Sequence, residues 1–425
     1  MDAPRVYADA SYERISAGLR RDGGRWAVTF GGLLMRSRFQ PIYSLSHGRV
    51  VGHEALLRAE DIAGHAVPPP LALRGDGSFA DLVRGDRSAR LIHALNFAEM
   101  TEPAHWLFFN MQPQVFVALP FLSRDGFQDA LMERCGLQGH QLVLEVLEQG
   151  VPQGADFDGA LRTARAPGSL IALDDFGAGH SNFDRVWRLQ PEIVKLDRSL
   201  VRRAALEPQA RRVVTHMVSL LHQCGALVLM EGIETQDEAF VALEAFADLV
   251  QGDLFARPAA TLVALDDAPR ALGTLWNDYE LRRAEEQRAY RERIRPYSNA
   301  IGYASALLAE GRTLAEATAT FLKLPRAEVC YLLDRDARQI GDNEWAPQRR
   351  EVEPLAFAPM RETRGAHWAR RPYYRRAMES VGELQVTRPY RTVHGAHLCV
   401  TVSVAYLCGD SLCVVCGDLG WDGEG

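Results

Sequence analysis

Ile171-Ala-Leu-Asp174-Asp175-Phe-Gly-Ala-Gly179 carries an apolar run into two consecutive carboxylates and then into a glycine-punctuated loop. The same form recurs through the middle of the chain. Leu142-Val-Leu-Glu145 runs on to Glu148, Ile193-Val-Lys195-Leu-Asp197 holds a lysine before its acid, and Leu227-Val-Leu-Met-Glu231 runs on to Glu234. Short apolar runs without strict alternation fit strands covered on both faces, as in parallel sheets. Helix-like segments of a dozen or more residues separate them, which is the grammar of repeated βα units. Leu33–Tyr43, Val50–Arg58, Trp106–Met111 and Asp248–Phe255 also read as strands, bringing the count close to the eight that close a barrel. In such a barrel the loops after the strands build the active site, so the acids gather around one mouth. Crowded carboxylates repel unless cations neutralise them, and the pattern predicts a divalent-metal enzyme.

A chain of 425 residues exceeds one ordinary core, and two domains are expected. Hydrophobic content of 47% and charged content of 24% describe a globular protein. A formal net charge of −7 argues against a nucleic-acid polymer as partner. No apolar run approaches the roughly 20 residues that cross a bilayer. The start, Met1-Asp-Ala-Pro-Arg-Val6, lacks a secretory layout, so a cytoplasmic address is expected. Four of the seven cysteines lie in the C-terminal tail, at 399, 408, 413 and 416. Cys413 and Cys416 form a CxxC, but on a strand their thiols face opposite ways, and no second pair completes a zinc set.

The expected organisation has four parts. Residues 1–32 read as an N-terminal helical extension, amphipathic around Tyr12-Glu-Arg-Ile15 and Leu19. Residues 33–265 form the barrel. Residues 266–296 form a charged linker helix ending before Pro296, either a plain solvated connection or a signalling lever or dimer coil. Residues 297–425 form a smaller α+β domain, with a helical stretch Ala300–Leu322 and strands at Val329–Asp334, Gln385–Tyr390, His397–Ala405 and Ser411–Leu419.

Eight motifs in register make the barrel specific. They are Phe39-Gln40-Pro-Ile42, Glu54-Ala-Leu-Leu-Arg58, Asn110-Met-Gln-Pro113, Glu145-Val-Leu-Glu148, Asp174-Asp-Phe-Gly-Ala-Gly179, Val194-Lys-Leu-Asp197, Glu231-Gly-Ile-Glu234 and Gln251-Gly-Asp-Leu-Phe255. Over residues 35–262 the chain resembles the EAL domain, the cyclic-di-GMP phosphodiesterase family. The resemblance implies a TIM-like (β/α)8 barrel that hydrolyses cyclic di-GMP to linear pGpG. It assigns Glu54, Asn110, Glu145, Asp174 and Asp175 as ligands of two Mg²⁺ or Mn²⁺ ions, and oxygen donors suit those ions. It makes Glu231 a general base or an organiser of the metal site. Lys195 would contact the attacking water or the phosphate, and Asp197 would hold that lysine or a water. Gln40 and Arg58 would contact substrate, and Gln251 would contact guanine or support the metal site. Glu148, Gly177, Gly179 and Glu234 would support the loop after Asp175; the alternative for Glu234 is that it helps start the following helix. Leu147, His180, Asn182 and Asp253 depart from the family pattern and bear on turnover, loop order and dimer coupling.

In the tail, Trp368-Ala-Arg-Arg371-Pro-Tyr373-Tyr374, Thr387-Arg-Pro-Tyr390 and Gly417-Asp418 resemble PAS-like sensor domains of the Cache type. That resemblance implies a pocket for an unknown small molecule built from Trp368, Arg371, Tyr373 and Asp418; the alternative is that these residues simply pack the domain. A homodimer is the expected assembly. Two rival functions remain alongside hydrolysis: a silent cyclic-di-GMP receptor and a protein-interaction scaffold. No synthase-like GGDEF segment is present.

Overall fold

Gly23 and Gly24, at φ 57° and 81°, supply two left-handed positions for a tight hairpin turn. In the computed structural model this turn joins β1 (Leu19–Asp22) to β2 (Arg25–Phe30) in antiparallel pairing. The expected helical extension over 1–32 is therefore corrected. Among the described residues before β3, only Tyr12–Ser16 is helical, and β2 pairs onward with β3 (Leu33–Ser44). The amphipathic pattern around Ile15 is real but spans little more than one turn. The described residues are 10–100, 105–147, 155–179, 183–264, 269–347, 362–391 and 397–421.

A short turn joins β3 to β4 (Arg49–Glu60), and strands so closely linked can only pair antiparallel. After β5 (Ala66–Val67), an antiparallel partner of β4, the chain alternates with helices. The next strands are β6 (Trp106–Asn110), β7 (Leu142–Leu147), β8 (Leu170–Phe176), β9 (Ile193–Leu196), β10 (Leu227–Met230) and β11 (Leu249–Val250). From β4 through β11 these neighbours are parallel, and β11 returns to β3 antiparallel. Eight described strands thus close a barrel in which β3 runs against the other seven. The all-parallel βα reading missed this reversal, which the tight β3–β4 link imposes.

The chain divides into two compact units, Met1–Tyr279 and Glu280–Gly425, inside one helix, Arg270–Ala309. That helix passes through Pro296 instead of ending before it. Proline removes one backbone hydrogen bond and strains the preceding turn. The residues beyond it, including Tyr297, Ala300, Ile301, Ala304 and Leu308, are buried in the second unit's core, and that burial overrides the local penalty. The helical stretch expected over Ala300–Leu322 is broken at Gly311 (φ 88°) and restarts at Leu314 with a Thr313–Glu316 capping box.

The second unit holds an antiparallel sheet of β12 (Ala327–Leu333), β13 (Gln339–Trp345), β14 (Gln385–Val386), β15 (Tyr390–Arg391), β16 (Leu398–Cys408) and β17 (Ser411–Gly420). β13 escaped sequence reading because Gly341, Asp342, Asn343 and Glu344 give it a polar, mostly open face at the sheet edge. Cys413 and Cys416 fall in separate core clusters on β17, as strand alternation requires. No helix among the described residues is long and apolar enough to cross a membrane.

Candidate active site

Ile42, Phe108, Val143, Ala172, Ile193, Leu229 and Leu249 form one fully buried cluster, with one residue from each of seven barrel strands. On β4 the matching position is Gly52, where a Cβ would sit 2.9 Å from Trp106 and 3.1 Å from the Phe108 ring. Side chains alternate across a strand, so the residue two places nearer the mouth shares the inward face. Those residues are Gln40, Glu54, Asn110, Glu145, Asp174, Lys195, Glu231 and Gln251. Every member of this polar layer was singled out from sequence. The barrel places them in one ring above an apolar plug.

Lys195 lies at the centre, 1% exposed, with Nζ 2.8 Å from Glu145 Oε1, 2.8 Å from Asp174 Oδ1, 3.1 Å from Glu231 Oε2 and 3.7 Å from Glu54 Oε2. Burial alone would lower its pKa, but Asp174, Glu145, Glu231 and Glu54 outweigh burial and hold it well above the ordinary lysine value. Asn110 Nδ2 donates to Glu54 Oε1 at 2.9 Å, and Gln251 Nε2 donates to Glu54 Oε2 at 2.8 Å. Burial works against ionising Glu54, yet Lys195 and these amides keep its pKa below the usual glutamate value. Glu145 moves the other way: burial, then the facing Glu54, push it well up. Glu231 is raised to about 8 by burial, with Asp174 and Glu54 adding and Lys195 opposing. Gln251 Oε1 is buried and accepts no hydrogen bond from the described residues.

Asp175 should face away from Asp174, because neighbours on a strand alternate. It adopts φ 56° instead, and the β8–β9 register shifts between Leu173 and Phe176. Oxygens of Asp174, Asp175 and Glu231 consequently lie within 4.8 Å of one another. Burial and Asp174 raise the Asp175 pKa. One lysine set against five carboxylates leaves excess negative charge, and an all-oxygen donor set fits hard divalent ions. Glu231, expected in a proton-transfer or organising role, shares the tightest oxygen cluster with Asp174 and Asp175.

The other expected residues make different contacts. Arg58 is exposed and donates to Leu57 O, and it shares a cleft with Glu54, Asn110 and Leu147. Gln40 Nε2 donates to Ala256 O at 3.2 Å, and Gln40 Oε1 accepts from Gln251 Nε2 at 3.4 Å. Asp197 makes no ion pair with Lys195 among the described contacts. It caps the helix Arg198–Leu206 by accepting from Ser199 N at 3.0 Å and from the Ser199 hydroxyl. Glu234 pairs with Arg198 at 2.7 Å on the surface, while Thr235 and Glu238 box the start of the following helix. Gly177 takes φ 99° with Leu200 against its α-carbon, and Gly179 is exposed. Glu148, His180 and Asn182 lie outside the described residues.

In the second unit, Asp418 is buried and accepts from Thr401 Oγ1 at 2.7 Å, with Tyr331 Oη at 3.5 Å. Burial raises its pKa to about 7. Tyr373 stacks on Tyr390 at 6.3 Å, and the Arg371 guanidinium lies 5.8 Å from the Trp368 ring centre and 5.5 Å from that of Tyr390. The four expected pocket residues therefore belong to one aromatic cluster. Tyr331, Tyr390 and Thr401 join it without having been assigned a role from sequence.

Residues 32–258, more than half of the chain, match the EAL domain family, and the chain belongs to it. Among its relatives, the cyclic di-GMP phosphodiesterase RocR of Pseudomonas aeruginosa is 27% identical over 225 residues, covering 52% of this chain and 56% of RocR. The cyclic di-GMP phosphodiesterase PA2567 of the same organism is 31% identical over 229 residues, covering 52% and 38%. The chain thus spans about half, or less, of the curated relatives named here. The Bacillus subtilis YkuI protein, with an EAL domain and in complex with substrate c-di-GMP and calcium, shares the fold. Its TM-score is 0.77 at 20% identity, covering 91% of this chain and 96% of YkuI.

Proposed function

We propose that the barrel is a divalent-metal-dependent phosphodiesterase that opens cyclic di-GMP to linear pGpG. The observation that carries this reading is the cluster of carboxylates at the mouth, where one ammonium faces four acids and a fifth, Asp175, lies beside two of them. Glu54, Asn110, Glu145, Asp174 and Asp175 would hold two Mg²⁺ or Mn²⁺ ions, with Glu231 beside them. When bound, such ions would neutralise charge building on the phosphate and acidify the attacking water. The chain's own residues orient everything else. Lys195 ties Glu145, Asp174 and Glu231 into one arrangement, and the Asn110 and Gln251 amides fix both oxygens of Glu54. Arg58, on the exposed rim, suits bidentate contact with a phosphate of the ring. Gln40 and the unclaimed Oε1 of Gln251 offer polar contacts to the substrate. Asp197 acts indirectly by fixing the start of the helix after β9. The apolar plug keeps water from the ring's lower side and strengthens every charge interaction above it.

We further read the second unit as a PAS/Cache-like sensory module with a small-molecule site at Trp368, Arg371, Tyr373 and Asp418. A homodimer and a cytoplasmic setting accompany this reading. The test is turnover of cyclic di-GMP by purified protein with magnesium or manganese. The expected product is pGpG, and Glu54→Ala and Glu231→Ala are expected to lower the rate at least about 1,000-fold without changing the circular dichroism. Nucleotide binding without product would leave a receptor, and no affinity at all would leave a scaffold.

A further inference from the structure

Met111 and Leu144 are the chain neighbours of Asn110 and Glu145, and by alternation they face away from the ring, toward the surrounding helices. There the helices Phe79–Ala98, Leu119–Leu122, Phe127–Cys135 and Ala155–Arg165 border a cavity of about 430 Å³. Protein interiors are close-packed, and a space of this size lies in the range of small-molecule sites. Leu119, Leu122, Phe127 and Ala164 line it together with Met111 and Leu144, so its walls are mostly apolar. The deeper polar groups are donors. Arg87 lines the cavity and is 3% exposed. Its terminal nitrogens serve Asp125 and the Ala10 and Leu122 carbonyls, but its Nε is buried and has no acceptor among the described residues. Arg90, also in the lining, pairs with Asp86 at 2.8 Å and donates to Gln128 Oε1 at 3.3 Å. Asp129, which is exposed, is the one carboxylate among the described lining residues.

We propose that this cavity is a binding site, separate from the barrel mouth, for an uncharged and mostly apolar small molecule that carries a carbonyl acceptor. The apolar walls take the body of the ligand, and Arg87 Nε supplies the donor that orients it. A buried donor without an acceptor carries a desolvation cost, which a ligand carbonyl removes. An anion fits less well. Asp125 and Asp86 already neutralise the two buried guanidiniums, and a further buried charge would lack a counter-ion. The position gives occupancy a consequence. Met111 N donates to Glu145 O at 3.1 Å, and Arg90 also lines the cleft that holds Glu54 and Asn110. An occupant therefore packs on the outer side of the strand ends that carry Asn110 and Glu145. The site stands whether or not the mouth turns over a nucleotide.

The experiment titrates Prodan, an uncharged naphthalene ketone whose emission moves to the blue in apolar surroundings, into the full-length chain. One saturable site is expected. Acetylnaphthalene should displace Prodan about tenfold better than ethylnaphthalene, which has similar bulk but no carbonyl. Hydrogen exchange then locates the site: Prodan should slow the amides of residues 108–116 and 155–167 and leave those of the second unit unchanged. Thr163 and Ala166 also line the cavity, half-buried and exposed respectively. Thr163→Trp and Ala166→Trp, each with the parent's circular dichroism, should weaken Prodan at least about tenfold by filling the space. Prodan binding that survives both substitutions, protection that falls elsewhere, or displacement no better by the ketone than by the hydrocarbon would each overturn the proposal. So would tighter binding of the anionic anilinonaphthalene sulfonate at the same site.

Discussion

Lys195 shows how much one residue can carry. It is the cation paired to four buried or half-buried acids. Removing one partner from a buried ionic network leaves uncompensated charge and costs about 3–5 kcal/mol. Lys195→Met should therefore lower the melting temperature sharply in chelator, and manganese should recover part of the loss by replacing the missing positive charge. If calorimetry shows an unchanged midpoint, the lysine is not what neutralises the ring. Asp418 makes a second prediction. Its folded-state pKa, about 7, lies above the ordinary aspartate value of 3.8 because the group is buried. The native state thus binds the proton more tightly than the unfolded chain does. The stabilisation is complete below about pH 4 and fades as pH rises through about 7, a change of roughly 4 kcal/mol. Asp418→Asn should remove that slope. Hydrogen exchange of the β16 and β17 amides in both proteins at pH 5 and pH 8 checks it, and identical pH responses would sink the idea.

At the scale of elements, strand alternation builds the site. Each barrel strand delivers a small or apolar residue to the plug and, two places nearer the mouth, a polar one to the ring. This offset was legible: Phe108 and Asn110, Val143 and Glu145, and Leu229 and Glu231 can all be read from the chain. The exception is β8, where the left-handed backbone at Asp175 turns a residue that should face outward toward its neighbours. No local signal announces that reversal, because an aspartate followed by Phe176 is unremarkable in a strand. The following turn has its own constraint. A Cβ on Gly177 would approach Leu200 Cδ1 to 2.0 Å, at a φ that side chains rarely adopt. Gly177→Ala should shift the loop after β8, cutting phosphodiesterase turnover about tenfold or more while costing about 1 kcal/mol of stability. Turnover equal to the parent would show that the loop's backbone does not matter to the site.

For the whole molecule, closure of the barrel is the governing event. β3 pairs with β11 across some 200 residues of chain, and Gln40 meets Gln251 only because of that pairing. Contacts so distant in sequence form late, and refolding should be slow, with milliseconds to seconds as the expected scale for such topologies. On the proposed metal reading, the excess negative charge of the assembled ring would let the folded barrel bind cations that the unfolded chain does not. Magnesium or manganese should therefore raise the melting temperature of the barrel transition, by about 2.7 kcal/mol of stability at a hundredfold excess over Kd. A midpoint indifferent to both ions would contradict the metal reading at its root.

The chain by itself determined which residues carry charge, which runs become strands, and that eight motifs share one order; these follow from local composition and alternation. Tertiary structure alone decided that β3 runs backwards, that residues 19–30 pair as a hairpin instead of coiling, and that the helix continues through Pro296. It also decided that Asp175 and Glu231 meet at Asp174 while Asp197 turns to cap a helix. The physical reason is the same throughout. Local preferences amount to less than about 1 kcal/mol for an ordinary residue and about 3 for a proline, whereas burial of a core or closure of a barrel sums contributions from many residues far apart in the chain.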